Sequence, residues 1–159
     1  MIPIKLIPHK TELALQQAGS EELYASNLYQ HLANQSQRLG LFGAAKYFKS
    51  ESLDEREHYQ GIANYLNDQG AVAEVSMVDA CEEVVTDLQS ALQAAFNAEK
   101  ALGQKYANWY QQLASDPMAQ QFILGYLEIQ RKSIGEVGDW LQRLSQTDDP
   151  ILVDKEMGA

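Results

Sequence analysis

From Val85 to Leu113 the chain steps through Val85, Leu88, Leu92, Ala95, Glu99, Leu102, Tyr106, Trp109 and Leu113, alternating intervals of three and four residues. That is the period of a helix with one buried face, and Glu99 alone breaks its apolar character. Three further stretches carry the same rhythm. The first reads Leu15, Ala18, Glu22, Ala25, Tyr29, Leu32, Ser36, Leu39, and the second Ala44, Phe48, Glu51, Glu55, His58, Ile62, Tyr65. The last reads Ala119, Phe122, Tyr126, Gln130, Ser133, Val137, Trp140, Leu144. No proline falls between Pro8 and Pro117, so the first three stretches meet no backbone breaker.

The pattern predicts an all-α fold, with helices at about 11–39, 42–69, 84–114 and 117–146 and a short one at 151–157. Thr11 is the expected N-cap of the first helix, with Glu12 in its first turn. Gly40 and Gly43 bracket a connection too short for anything but an antiparallel pair, and Gly70 stops the second helix. A second helix of roughly 28 residues is about 42 Å long. The aperiodic dozen residues after it cover about that distance at ~3.3–3.6 Å each. The expected architecture is therefore a single domain over 1–159: a four-helix bundle with a long crossover between helices 2 and 3 and a short fifth C-terminal helix.

A net charge of −10 argues against nucleic acid and membrane surfaces as partners and favours cations. Cys81, the only cysteine, excludes an intrachain disulfide and a cysteine-based zinc or iron–sulfur site. It reads as an inert thiol in the crossover, and His9 and His31 read as surface residues. The N-terminus has two prolines and no secretory apolar run, and no stretch approaches the ~18–20 apolar residues that span a bilayer. These features lead us to expect a soluble, cytoplasmic protein.

Each seam is interrupted by polar groups near its midpoint: Glu22, then Glu55 with His58, then Glu99, then Gln130 with Ser133. In Glu51-Ser-Leu-Asp-Glu55-Arg-Glu-His58 the i, i+3 spacing points Glu55 and His58 the same way. A carboxylate and an imidazole in an apolar seam cost several kcal/mol unless their charge is compensated. A single glutamate of this kind is ordinarily a misjudged helix face. Four interruptions are different, because helix midpoints meet at one level of a bundle whichever way the helices run. Three carboxylates and an imidazole without thiolate suit Fe(II) or Mn(II), with Zn(II) possible. They also offer enough oxygens for two metals if Glu55 bridges. Tyr29, two turns from Glu22, is placed to hydrogen-bond a ligand carboxylate or supply an electron.

Taken together, Glu22-Leu-Tyr-Ala-Ser-Asn-Leu-Tyr29, Glu55-Arg-Glu-His58, Asn97-Ala-Glu99-Lys and Leu127-Glu-Ile-Gln130 resemble the ferroxidase pattern of non-haem bacterial-type ferritins. Ile151-Leu-Val-Asp-Lys-Glu-Met157 is similar to their short fifth helix. The resemblance implies a 24-subunit homo-oligomeric cage that oxidises Fe(II) with O2 or H2O2 and stores it as a ferric mineral. It implies two non-haem irons per subunit: Glu22 and His58 on the first, Glu55 bridging, Glu99 on the second, and Gln130 orienting a water or oxidant. Tyr29 would be hydrogen-bonded near the centre. Glu51, Asp54 and Glu57 would be weaker candidates for accepting iron as it leaves.

Departures from related patterns refine this. Acids that form a third iron site elsewhere in the family are replaced by Ile129, Lys132 and Ser133. The bacterioferritin histidine and haem-binding methionine fall at Ser133 and Arg56, so no haem is expected. Acids that line the threefold pores of animal ferritins fall at Gln120 and Ile123. The rival expectation is a rubrerythrin-like di-iron peroxidase without storage. Such proteins usually carry a second Glu-x-x-His on the last helix, where this chain has Gln130 and Ser133. A cage subunit that only nucleates mineral would lack the ligands that are present here.

Overall fold

A computed structural model describes residues 4–159. Its elements are α1 (His9–Arg38), α2 (Phe42–Asp68), α3 (Leu88–Gln112), α4 (Pro117–Leu144) and α5 (Pro150–Met157). The fold is all-helical, a four-helix bundle followed by the short α5, and no strand occurs among the described residues.

Local chemistry fixes the ends of the helices. Gly40 and Gly70 adopt φ of +79° and +81°, the left-handed conformation that ends a helix cheaply only at glycine. The amides of Leu41 and Ala71 then reach back to the carbonyls of Ser36 and Leu66. Asp87 caps α3 in a reciprocal pair with Ser90, so α3 starts at Leu88 rather than near 84. Val85 keeps its place on the buried seam, but as extended chain. Asp116 and Asp149 cap α4 and α5, each ahead of a proline in the first turn.

Thr11 does not cap α1. The helix begins earlier, after Pro8, and the Thr11 hydroxyl donates instead to Asp116 Oδ2 at 2.7 Å, tying α1 to the cap of α4.

Residues 69–87 hold no helix and run along α1 from one end of the bundle to the other. Side chains of α1 bond part of their backbone: Gln16 exchanges bonds with Val72 and Glu74, and Gln35 with Glu83 and Val85. His31 belongs to this contact, with Nε2 2.8 Å from the Glu83 carbonyl, and is half-buried rather than a free surface residue. His9 is exposed, and Cys81 is half-buried in the crossover.

The core has two main apolar blocks. One gathers Leu32, Phe48, Leu92 and Val137 near the α1–α2 turn. The other gathers Leu15, Ile62, Leu102 and Ile123 at the opposite end. Between them, in sequence along each of α1 to α4, lie the buried polar residues Glu22, Glu55, Glu99 and Gln130. Reciprocal bonds from each of Ser26 and Ser52 to the other's carbonyl, at 2.8 and 2.7 Å, set the level of α1 against α2 beside this layer.

Candidate metal centre

Glu55 and His58 leave α2 on one face, and His58 Nδ1 lies 3.0 Å from Glu55 Oε2. Glu22 enters from α1 with Oε2 3.7 Å from the same nitrogen. One ligand atom from each of the three falls within 4.8 Å of the others, a spacing that a single cation can bridge. Glu99 of α3 and Gln130 of α4 complete the layer: Gln130 Nε2 donates to Glu99 Oε2 at 2.7 Å. Tyr29 donates to Glu99 Oε1 at 2.7 Å.

All five side chains named as ligands from the sequence therefore meet at one level, with Tyr29 against Glu99. Of the weaker candidates, Glu51 is half-buried on the face of α2 towards the centre, while Asp54 and Glu57 are exposed. Ser133 is half-buried and adds no contact to the layer. Ile123 is fully buried in the core, and the Gln120 amide donates to the Tyr110 carbonyl at 2.9 Å. Ile123 is therefore a packing residue and cannot face a pore.

The electrostatics describe a site too negative for its surroundings. Burial pushes Glu55 up to about 8 despite its hydrogen bond to His58, and the neighbouring Glu22 adds to the rise. Burial and the charge of Glu55 lift Glu99 to about 7, against the bonds from Tyr29 and Gln130. Burial alone would lower His58, but the neighbouring carboxyl groups of Glu22 and Glu55, the latter hydrogen-bonded to it, outweigh it and raise the imidazole to about 10. Glu51 also rises to about 8, through burial and the neighbouring Glu136, Asp54, Glu55 and Glu99. The layer keeps protons that ordinary carboxyl groups would have released.

Of the five buried side-chain polar atoms without a hydrogen-bond partner among the described residues, two, Glu22 Oε2 and Gln130 Oε1, belong to this layer. Unpartnered buried oxygens are costly, and a cation among them would supply what they lack. The donor set of three carboxylates, an imidazole and an amide oxygen fits a hard or borderline divalent ion such as Fe(II).

Sequence reasoning missed two tyrosines. Tyr106 of α3 donates to Glu22 Oε1 at 2.5 Å, and Tyr126 of α4 donates to the His58 carbonyl at 2.8 Å. Both sit on the seams and read there as core aromatics. A signal was nonetheless present for Tyr106. It follows Glu99 by seven residues, just as Tyr29 follows Glu22.

Comparison with known proteins adds a second line of observation. Residues 12–147 match the ferritin family, described as a ferritin-like domain. The chain is 32% identical over 146 residues to a ferritin of Pacifastacus leniusculus, covering 86% of this chain and 81% of that one. It is 26% identical over 143 residues to a probable bacterial non-heme ferritin-like protein of Haemophilus influenzae, covering 86% and 87%. A bacterial non-heme ferritin of Staphylococcus aureus shares 25% identity over 152 residues, 92% of each chain.

Proposed function

The chain belongs to the ferritin family, and on that premise we propose that it is a non-haem iron-storage protein with a ferroxidase centre in the middle of its bundle. The observation that carries this reading is the buried layer itself. Three carboxyl groups and an imidazole, with an unpartnered oxygen on Glu22, are packed between two apolar blocks, where a bound cation would balance them in place of the protons they otherwise hold.

Fe(II) is the substrate. Glu22 and His58 hold a first ion, Glu55 is shared, and Glu99 with Gln130 holds a second. Two ferrous ions bound there would each supply one electron, together reducing O2 to H2O2 or H2O2 to two waters, with two protons taken up from solvent in either case. The protein's part is to bind, orient and exchange protons. His58 and Glu55 give up the protons they hold in the metal-free state as the ions enter. The Gln130 amide releases Glu99 Oε2, which it otherwise occupies. Tyr29 keeps Glu99 oriented through Oε1. Glu51 is the best placed of the weaker candidates to accept iron on its way out, with Asp54 and Glu57 beyond it on the exposed face. The product would be hydrolysed and stored inside a cytoplasmic homo-oligomeric cage, each subunit one ferritin-like domain without haem.

The rival is a rubrerythrin-like peroxidase that does not store iron. The fourth helix disfavours it, since Gln130 and Ser133 stand where a second Glu-x-x-His would be.

Rapid mixing of anaerobic Fe(II)-loaded protein with O2, followed by ferric absorbance, tests the proposal. We expect a fast phase that saturates near two irons per subunit and falls at least about 100-fold in Glu55→Ala and His58→Ala. Iron taken up beyond that and kept soluble establishes storage. Oxidation at the buffer rate in all three proteins defeats the ferroxidase reading, and precipitation of all iron beyond two per subunit favours the rival.

A further inference from the structure

The two halves of the centre are held by mirrored devices. In α1 a tyrosine follows the site glutamate by seven residues, as Glu22 and Tyr29; in α3 the pair is Glu99 and Tyr106. With the crossover returning the chain to the α1–α2 turn, α1 and α3 run in opposite directions. Each tyrosine then reaches the other helix's glutamate: Tyr29 donates to Glu99, and Tyr106 to Glu22.

The consequences for the two glutamates differ. Glu99 has both oxygens engaged, one by Tyr29 and one by Gln130. Glu22 has Oε1 taken by Tyr106, while Oε2 is buried, without a partner, and directed towards His58.

Tyr106 is itself immobilised. It is fully buried, stacked on Tyr126 at 5.5 Å and 16°, and edge-on to Trp109 at 5.2 Å. The stacked Tyr126 donates to the His58 carbonyl, so this aromatic pair touches both α1 and α2.

We propose that Tyr106 is a positioning residue of the metal centre, fixing Glu22 so that Oε2 alone is presented beside Glu55 and His58. It acts through Glu22 and touches no metal. Outer partners of this kind orient a ligand, and their loss typically lowers metal affinity about 10–100-fold. The inference rests on the reading of Glu22, Glu55 and His58 as ligands, and its test separates the two.

The test is a Co(II) titration of the full-length metal-free protein, followed by visible d–d absorption. Tyr106→Phe keeps the stacked ring and removes only the hydroxyl. We expect the first equivalent to bind at least about 10-fold more weakly, with an altered d–d spectrum and an unchanged helical circular dichroism signal. In a Glu22→Gln background the same change should alter affinity by less than about twofold, because the partner through which Tyr106 acts has lost its charge. Equal losses in both backgrounds would mean that the hydroxyl serves packing alone, and would overturn the proposal. Wild-type affinity and spectrum in Tyr106→Phe, with binding lost in Glu55→Ala, would also overturn it while leaving the ligand set standing. Unchanged Co(II) binding in Glu55→Ala would remove the ligand set, and the role of Tyr106 with it.

Discussion

Glu55, Glu99 and His58 hold protons in the metal-free protein that the proposed cation would displace. Burial raises both carboxyl groups, to about 8 and about 7, and the two glutamates beside His58 raise it to about 10 against the effect of burial. Because these groups bind protons more tightly folded than unfolded, stability falls as pH rises. For the carboxyl groups the fall runs from about 4.5, their unfolded value, to about 8. For His58 it runs from 6.5 to about 10. The metal-free protein should therefore melt at lower temperature at pH 9 than at pH 5.5, and bound metal should flatten that dependence. Calorimetric titration of Co(II) in buffers of different ionisation enthalpy should show proton release, larger at pH 6.5 than at pH 9. A pH-independent melting temperature, or binding without proton release, would contradict this account. A second prediction concerns Gly61, where an added Cβ would lie 2.4 Å from the Tyr126 hydroxyl. Gly61→Ala should displace that hydroxyl from the His58 carbonyl and weaken Co(II) binding, with stability lowered by about 1 kcal/mol in thermal unfolding.

At the scale of helices, the buried polar layer was legible because each of its residues interrupts an apolar rhythm. Glu22, Glu55, Glu99 and Gln130 are polar where the period demands a hydrophobe, and burial of all four follows. Tyr106 and Tyr126 escaped because a tyrosine satisfies the same period. Their hydroxyl bonds depend on how α3 and α4 register against α1 and α2, which no single seam encodes. The early start expected for α3 has a similar origin: Val85 is buried like a helical seam residue, but the Asp87 cap decides where the helix begins. The role of α5 was also hidden. Asp154 accepts from the amides of Gly43 and Ala44, at 3.1 and 2.7 Å, and so caps the otherwise uncapped N-terminus of α2 from more than a hundred residues away. Asp154→Ala should cost about 1–2 kcal/mol in chemical denaturation and expose α5 amides to hydrogen exchange. Gly43→Ala should do the same, since its Cβ would fall 1.7 Å from the Asp154 carbonyl oxygen. Wild-type stability and exchange in both variants would show that α5 docks by other contacts.

The whole subunit combines a net charge of −10 with several strongly exposed apolar side chains in the crossover. Val72, Val75 and Met77 are 82%, 71% and 97% exposed, in a segment that Gln16 of α1 bonds at the backbone of Val72 and Glu74. Aperiodic sequence gave no sign of that packing, because it is made by glutamine side chains bonding to backbone and not by a buried stripe. If the chain assembles into the proposed cage, copies of this segment are suited to subunit contact, and Val75→Asp with Met77→Asp should shift light-scattering mass towards smaller species. An unchanged mass would place the contacts elsewhere. The central claim, however, is that one buried layer of the bundle binds paired iron. Crystals soaked anaerobically in Fe(II), with anomalous differences recorded at the iron edge, test it most directly. The account predicts two peaks per subunit, one among Glu22, Glu55 and His58 and one among Glu55, Glu99 and Gln130, both lost in Glu55→Ala. Iron bound only at surface carboxylates, with no peak inside the bundle, would contradict it.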